Sequence, residues 1–389
     1  MCFFYAFIFN IFETSNSVLR SPNMYIVLIS ILICVLYTAM VLVFIVGWRR
    51  VPLFEPVENA NLYSGLTVSV VIACKDEETN LPKLLSCLQI QSYQHFELIL
   101  VNDHSSDATM SVMEGARTLF LNVKVINAEL CGKKNALKEG ITAASGSLII
   151  TTDADCTPGP DWLKAICSFQ QSHPSDLIIC PVQLTDSKSL FAGLQALEFK
   201  TLIASGAGAA GAGMPILCNG ANLAFTKEAW IQSRLELVDE HMSGDDIFLL
   251  QSIKKRGGVI RFLKSESALV FTEPAKTLAA FFKQRKRWAS KSPAYTDVQL
   301  IFTACTVFSI SLWLIILVFS SLIYPSLLIA FFVTFGVKFL ADIIFLYFIR
   351  SFFKIKYLWF YSFLLSLIYP FYIVSVAISA LFLTSKTWK

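Results

Sequence analysis

Hydrophobic and polar positions divide the chain into zones of different texture. Residues 24–48, MYIVLISILICVLYTAMVLVFIVGW, carry no charge, and a run of that length crosses a bilayer with some tilt. Across residues 67–272 the pattern changes to short β-branched runs, 68–74, 96–102, 123–127 and 147–152, with helical stretches over 80–91 and 108–121 between them. Buried apolar strands alternating with helices predict an α/β fold with a mostly parallel sheet, and this segment is long enough to bury a full core. After Trp288 long apolar runs return over 298–322, 327–349 and 357–383, the first two separated by Tyr324-Pro325-Ser326. One N-terminal and three C-terminal spans are therefore expected, with 49–66 as a linker and 273–297 as an interfacial helix.

Charge sets the orientation. Trp48-Arg49-Arg50 close the first run, and Arg350, Lys354 and Lys356 lie between the last two. The positive-inside rule places both basic segments in the cytoplasm and the C-terminus outside. A cleaved signal peptide is a poor fit, because its apolar core is shorter and follows its charges. Residues 1–23 form an N-terminal stub whose apolar part, 3–12, is too short to span; it is either interfacial or precedes a start at Met24. Lys338 and Asp342 are four apart on one face of a predicted span. They read as a satisfied pair within the bundle, in preference to the lining of a path for a lipid or glycan.

Composition agrees with a membrane protein. Of 389 residues, 55% are hydrophobic and 15% charged, against about 25% charged in ordinary soluble domains. The net charge of +4 is small, and its basic residues flank apolar runs. That suits an anionic membrane face, and no nucleic-acid motif is present. Ten cysteines occur without a CxxC pair, which reads as buried or reduced thiols in a cytosolic domain.

Candidate chemistry is a series of carboxylates after strands, where ligands bind in an open parallel sheet. Lys75-Asp76-Glu77-Glu78 follows the first strand and Asn102-Asp103-His104-Ser105-Ser106-Asp107 the second. Asp76, Glu78 and Asp107 also suit helix N-caps. Asp153-Ala154-Asp155 follows the fourth, and two carboxylates two apart at a strand end can point a metal-binding pair at a diphosphate. Gly244-Asp245-Asp246 precedes a helical run and offers either a general base or an N-cap pair. Gln284-Arg285-Lys286-Arg287-Trp288 lies before the second span, where basic residues and Trp also mark an interface.

In this order the strings VSVVIACKDEETNL, ELILVNDHSSDAT, GKKNAL, TTDADC, CNGANLAF, SGDDIFLL and QRKRW resemble the membrane-embedded branch of the family 2 glycosyltransferases. That branch includes cellulose, chitin and hyaluronan synthases and ceramide glucosyltransferases. The resemblance covers roughly residues 67–288. It implies a GT-A type nucleotide-sugar domain and a dependence on Mg2+ or Mn2+. It assigns Asp103 and Glu77 to the nucleotide, and Lys133 or Lys134 to a basic loop near it. Asp153 and Asp155 become the metal-binding pair, with Asp155 the direct ligand. Asn219 and Asn222 line the acceptor end, Asp246 is the general base with Asp245 beside it, and Gln284, Arg287 and Trp288 match QxxRW. The implied activity is metal-dependent, inverting transfer of a sugar from a nucleotide-sugar donor, a UDP-sugar by preference, to a lipid-linked or otherwise membrane-proximal acceptor. The expected location is the inner or plasma membrane, with the catalytic domain cytoplasmic.

Other readings stay open. A processive polysaccharide synthase carries the same QxxRW, although four spans are few for a secretion channel. A non-catalytic nucleotide-sugar sensor or assembly partner would keep the fold. Two stretches were ambiguous in form. The run SGAGAAGAG at 205–213 suits a mobile loop, a gate for the acceptor or a close approach of backbones. Phe191, Leu194, Leu197 and Phe199, like residues 278–288, suit an amphipathic helix on the membrane surface.

Overall fold

The computed structural model describes residues 22–56, 65–187, 189–233 and 245–382. The stub up to residue 21 and residues 57–64 of the linker lie outside them. Helix α1 (Pro22–Arg50) contains the first apolar run. Strands β1 (Val68–Cys74), β2 (Phe96–Asn102), β3 (Val123–Asn127) and β4 (Leu148–Thr152) match the expected runs to within a residue, and they pair with one another in parallel. Val70, Val71 and Ile72 have no exposure, so the continuous apolar run buries both faces of its strand. Helix α2 (Leu81–Gln89) packs Leu81, Leu84, Leu85 and Leu88 over one face. Helix α4 (Lys133–Ala143) covers the other with Ala136 and Ile141. Between them α3 (Thr109–Gly115) is shorter than the 108–121 stretch expected, and a 3-10 turn at Ala116–Thr118 follows; glycine costs an α-helix about 1 kcal/mol.

The second half of the domain adds β5 (Thr157–Pro158), α5 (Trp162–Ser172), β6 (Leu177–Ile179), β7 (Val182–Leu184), α6 (Leu190–Gly211), β8 (Asn222–Thr226), α7 (Lys227–Ser233), α8 (Asp245–Lys255), β9 (Ile260–Phe262) and β10 (Val270–Thr272). The main sheet runs β3-β2-β1-β4-β8-β6-β9, with β8 antiparallel to both neighbours. A small sheet, β5-β10-β7, stands beside it. Helix α9 (Leu278–Ala289) leads to α10 (Val298–Ser320), α11 (Leu327–Ile349) and α12 (Leu358–Phe382). Four helices among the described residues are long and apolar enough to cross a membrane.

Two expectations for α6 are corrected. The glycine–alanine run is helical to Gly211 and buried at Ala204, Ala207, Gly208 and Ala209. It is not a mobile loop, and the fold uses the close backbone approach that the run allows. A β-carbon at Gly47 would overlap the carbonyl oxygen of Gly208, and one at Gly211 would overlap that of Gly47. Small residues of this kind bring helix backbones into direct contact. The front of α6 is not a surface helix either. Leu197 and Phe199 are buried, because α6 is wedged between the catalytic sheets and the membrane helices.

The domain grips the bundle by helix ends. Lys264 Nζ donates to the carbonyls of Trp48 and Val51 at 3.2 and 3.3 Å and lies 4.0 Å from the Trp48 ring centroid. A cation at a helix C-terminus satisfies orphan carbonyls and complements the dipole. The Trp48 ring packs on Phe352 and Phe353 of the basic loop, and Lys354 pairs with Glu266 at 2.7 Å. Both basic segments therefore lie on the side of the bundle that carries the domain. Because Gly47 meets backbone, Gly47→Leu has no side chain to displace. It is expected to destabilise the protein by at least the ~1–3 kcal/mol of ordinary overpacking, read as a lowered Tm in detergent, while Gly115→Ala, which has open space, leaves Tm unchanged or higher.

Candidate active site

Loops at the carboxyl ends of β1, β2 and β4 build one side of the site. Asp76 adopts φ +53°, and its Oδ1 accepts from the N–H and Oγ of Ser106. Glu78 Oε2 accepts from the Ala108 N–H at 2.9 Å, and Asp107 accepts from the N–H groups of Glu78 and Thr109. These three carboxylates hold the two loops together, which is the local role their positions allowed. Glu77, between them, accepts from Asn80 Nδ2 at 2.8 Å and is close enough for its charge to act on Asp155. Asp103 is wholly buried. Its Oδ1 accepts from the Gly132 N–H at 2.7 Å, and its Oδ2 has no partner among the described residues.

Gly132, at φ +113°, turns the chain into α4, which opens with Lys133 and Lys134. Cations at a helix N-terminus oppose the dipole, so something else holds them. Lys133 donates to Asp153. Desolvation works against its charge, but Asp153 and Asp155 outweigh it and hold the ammonium above its ordinary value, with Arg287 opposing. Desolvation, then the neighbouring Asp153, raises the Asp155 carboxyl, with Lys133 pulling it down. Two carboxylates of like charge on a strand end, one already sharing a lysine, form a hard oxygen set that a small divalent cation suits.

These groups open into a cavity of about 1060 Å³. Lys133, Lys134, Asp153 and Asp155 line one end. Glu77 and Asp103 do not line it but stand behind this end. Beside the end of β4, where the Thr151 hydroxyl donates to the Gly220 carbonyl at 3.0 Å, the segment before β8 lies over Asp246, in the first turn of α8. Asp246 accepts from the N–H groups of Gly220 and Ile247 at 3.0 and 2.9 Å, a placement the helix dipole favours. Burial first, and the charge of Asp246 second, push the Cys218 thiol and the Tyr295 hydroxyl up. Both stay protonated beside it. Asp245 opens α8, but its side chain lies outside the described residues. Asn219 faces the cavity.

Asn222 does not, and its expected place at the acceptor end is corrected. It is wholly buried. Its Oδ1 accepts from Trp162 Nε1 at 2.9 Å, and its Nδ2 donates to the carbonyls of Pro181 and Ala268. The amide is committed to joining β8, α5 and the segments flanking the small sheet.

Gln284, Arg287 and Trp288 line the cavity from α9. Two further lining residues went unpredicted. Arg285, 4% exposed, pairs with Glu198 of α6, 11% exposed, at 2.5 Å. It also donates to Gln284 Oε1 at 3.2 Å, and its guanidinium lies 4.2 Å from the Trp288 ring centroid and 4.8 Å from that of Phe281. Tyr372 of α12 donates to Glu198 at 3.4 Å. A signal existed for each. Phe281, Arg285 and Trp288 share a helix face at i, i+4 and i+7, and Glu198 is a lone carboxylate among Leu194, Leu197 and Phe199. Beyond this pair the wall is apolar. It includes Leu202 and Ile203 of α6, and Tyr369, Ile373 and Val376 of α12.

Comparison with known proteins gives this geometry a family. Residues 65–291 match the model described as glycosyltransferase like family 2. The chain belongs to that family, with a domain of GT-A type fold and apolar helices long enough to span a membrane. A poly-beta-1,6-N-acetyl-D-glucosamine synthase of Staphylococcus aureus is 26% identical over 241 residues, 60% of this chain and 56% of the synthase. An undecaprenyl-phosphate 4-deoxy-4-formamido-L-arabinose transferase of Proteus mirabilis is 40% identical over 101 residues, 24% of this chain and 30% of the transferase. The chain thus matches little over half the length of the one and under a third of the other. A mannosyltransferase from Pyrobaculum calidifontis, in complex with GDP-Man and Mn2+, has a like fold at TM-score 0.55 and 17% identity, covering 92% of this chain and all of that one.

Removing one member of a buried ion pair strands the other. Arg285→Ala is expected to destabilise the folded protein by about 3–5 kcal/mol, and the double change Arg285→Met with Glu198→Leu by much less. Thermal unfolding of both variants in detergent checks this.

Proposed function

We propose that the protein transfers a sugar, with inversion, from a nucleotide-sugar donor to a hydroxyl of a lipid-linked or membrane-proximal acceptor, from a catalytic domain on the cytoplasmic side. The observation that carries this reading is that one continuous cavity joins two kinds of surface. Carboxylates and lysines line its one end and side chains of a membrane-spanning helix its other. A water-soluble donor and an acceptor held in the bilayer can meet there.

The roles follow from placement. The nucleoside docks behind the cavity at Asp103, whose open Oδ2 takes a donor group, and at Glu77. Lys133, Lys134 and Arg287 face the diphosphate, where an arginine makes charge-assisted bonds to phosphate. Asp155 and Asp153 would hold Mg2+ or Mn2+, which when bound neutralises charge on the departing diphosphate. Asp246 takes the proton of the acceptor hydroxyl as it attacks the anomeric carbon. Its two backbone N–H bonds aim the carboxylate and leave lone pairs for that proton. Trp288, Gln284 and Asn219 shape the acceptor side. An α-linked donor then gives a β-linked product. The resemblance favours a UDP-sugar, and the GDP-Man bound by the mannosyltransferase keeps GDP-sugars in the test.

A second reading, processive synthesis of a polysaccharide, is favoured by the Staphylococcus relative and by QxxRW. Purified protein in detergent with membrane lipid extract, given UDP- and GDP-sugars with and without EDTA, decides between them. Metal-dependent nucleotide release from one donor is expected, with a single sugar on a lipid by mass spectrometry; a ladder of products would favour the synthase. Asp246→Ala is expected to lower kcat for transfer by roughly 10²–10⁴-fold, and Asp155→Ala to abolish the metal dependence. No turnover on any donor overturns the proposal in favour of a nucleotide-sugar sensor.

A further inference from the structure

An ion pair that the mechanism does not use, Lys338–Asp342, lies inside the membrane-spanning part of α11. Lys338 is 2% exposed and its Nζ lies 2.6 Å from Asp342 Oδ2. The other oxygen of Asp342 accepts from the Tyr37 hydroxyl of α1. A buried pair of this kind is no better for stability than well-packed apolar side chains of the same volume, and ionisable residues at membrane depth mark functional positions.

What the pair touches suggests the function. The Lys338 ammonium lies 5.1 Å from the ring centroid of Tyr369 and 5.3 Å from that of Tyr37. It is held between two aromatic faces, one from α12 and one from α1, an arrangement that desolvation strengthens. Tyr369 lines the cavity, whereas Lys338 does not. Pro370 follows directly inside α12, and proline removes a rung from the helix ladder. The Tyr369 ring lies 5.8 Å from that of Tyr372, which packs on Phe281 at 5.4 Å and bonds Glu198. Tyr369 therefore stands between two ion pairs, Lys338–Asp342 on the bundle side and Arg285–Glu198 on the catalytic side.

We infer that Lys338, fixed by Asp342 and Tyr37, is a positioning residue for the acceptor: it sets the Tyr369 ring in the membrane half of the cavity wall and so governs acceptor affinity from outside the cavity. This rests on the reading that the acceptor enters from the membrane.

The double variant Lys338→Met with Asp342→Asn removes both charges and keeps the bond partner of Tyr37. The full chain, in nanodiscs, is offered a polyprenyl phosphate, a diacylglycerol or a ceramide with the donor it hydrolyses. Expected are an unchanged rate of donor hydrolysis without acceptor and an acceptor KM raised about tenfold, with kcat altered far less. Tyr369→Leu raises KM similarly, Tyr369→Phe does not, and adding Tyr369→Leu to the double variant gives no further rise, as coupled sites require. A double variant that folds with the wild-type acceptor KM overturns the inference. Should that variant not fold, Tyr369→Leu with unchanged KM overturns it equally. Wild-type protein that hydrolyses donor but glycosylates only soluble glycans overturns the lipid-acceptor reading beneath it.

Discussion

The molecule depends on the contact of two helix backbones at Gly47, Gly208 and Gly211. Helix α1 is long and apolar enough to cross a membrane, whereas α6 belongs at once to the core under the sheets and to the wall of the cavity. With no β-carbons between them, the two helices pack backbone to backbone, and dispersion over so tight a seam is large in sum and intolerant of added volume. The seam brings Glu198 to Arg285, and α6 to α12.

Charge in the cavity is arranged in opposed sets. At the sheet end, Asp153 and Asp155 repel one another and lean on Lys133, a lysine standing where the dipole of its helix disfavours it. That local conflict is typical of binding sites, where agreement between levels of structure is given up. Beside the same strand end, Asp246 is oriented by backbone donors, and burial keeps its neighbours Cys218 and Tyr295 neutral. Arg285 and Glu198 neutralise one another in the cavity wall.

Much of this was legible in the chain. The β-branched runs located the four parallel strands because each is buried on both faces, and the apolar runs located the spans because lipid demands length. The order of acidic motifs gave the strand-end site, since strand ends are where a parallel sheet presents ligands. Position-by-position roles were harder. Asn222 sits in a motif beside true cavity residues, and only the sheet's pairing reveals that it turns into the core. Arg285 and Glu198 are 87 residues apart, and nothing local couples them. The glycine–alanine run misled for a physical reason. In water such a sequence is a weak helix, and its helical form is imposed by a partner helix far away in the chain.

The shared helix has a further consequence. A span adjusts to the thickness of its bilayer by tilting, and α1 cannot tilt without carrying α6 along the glycine seam. Since α6 is also cavity wall, the seam turns any tilt of α1 into a change in the shape of the cavity, so the apolar helix is a lever on the site as well as an anchor.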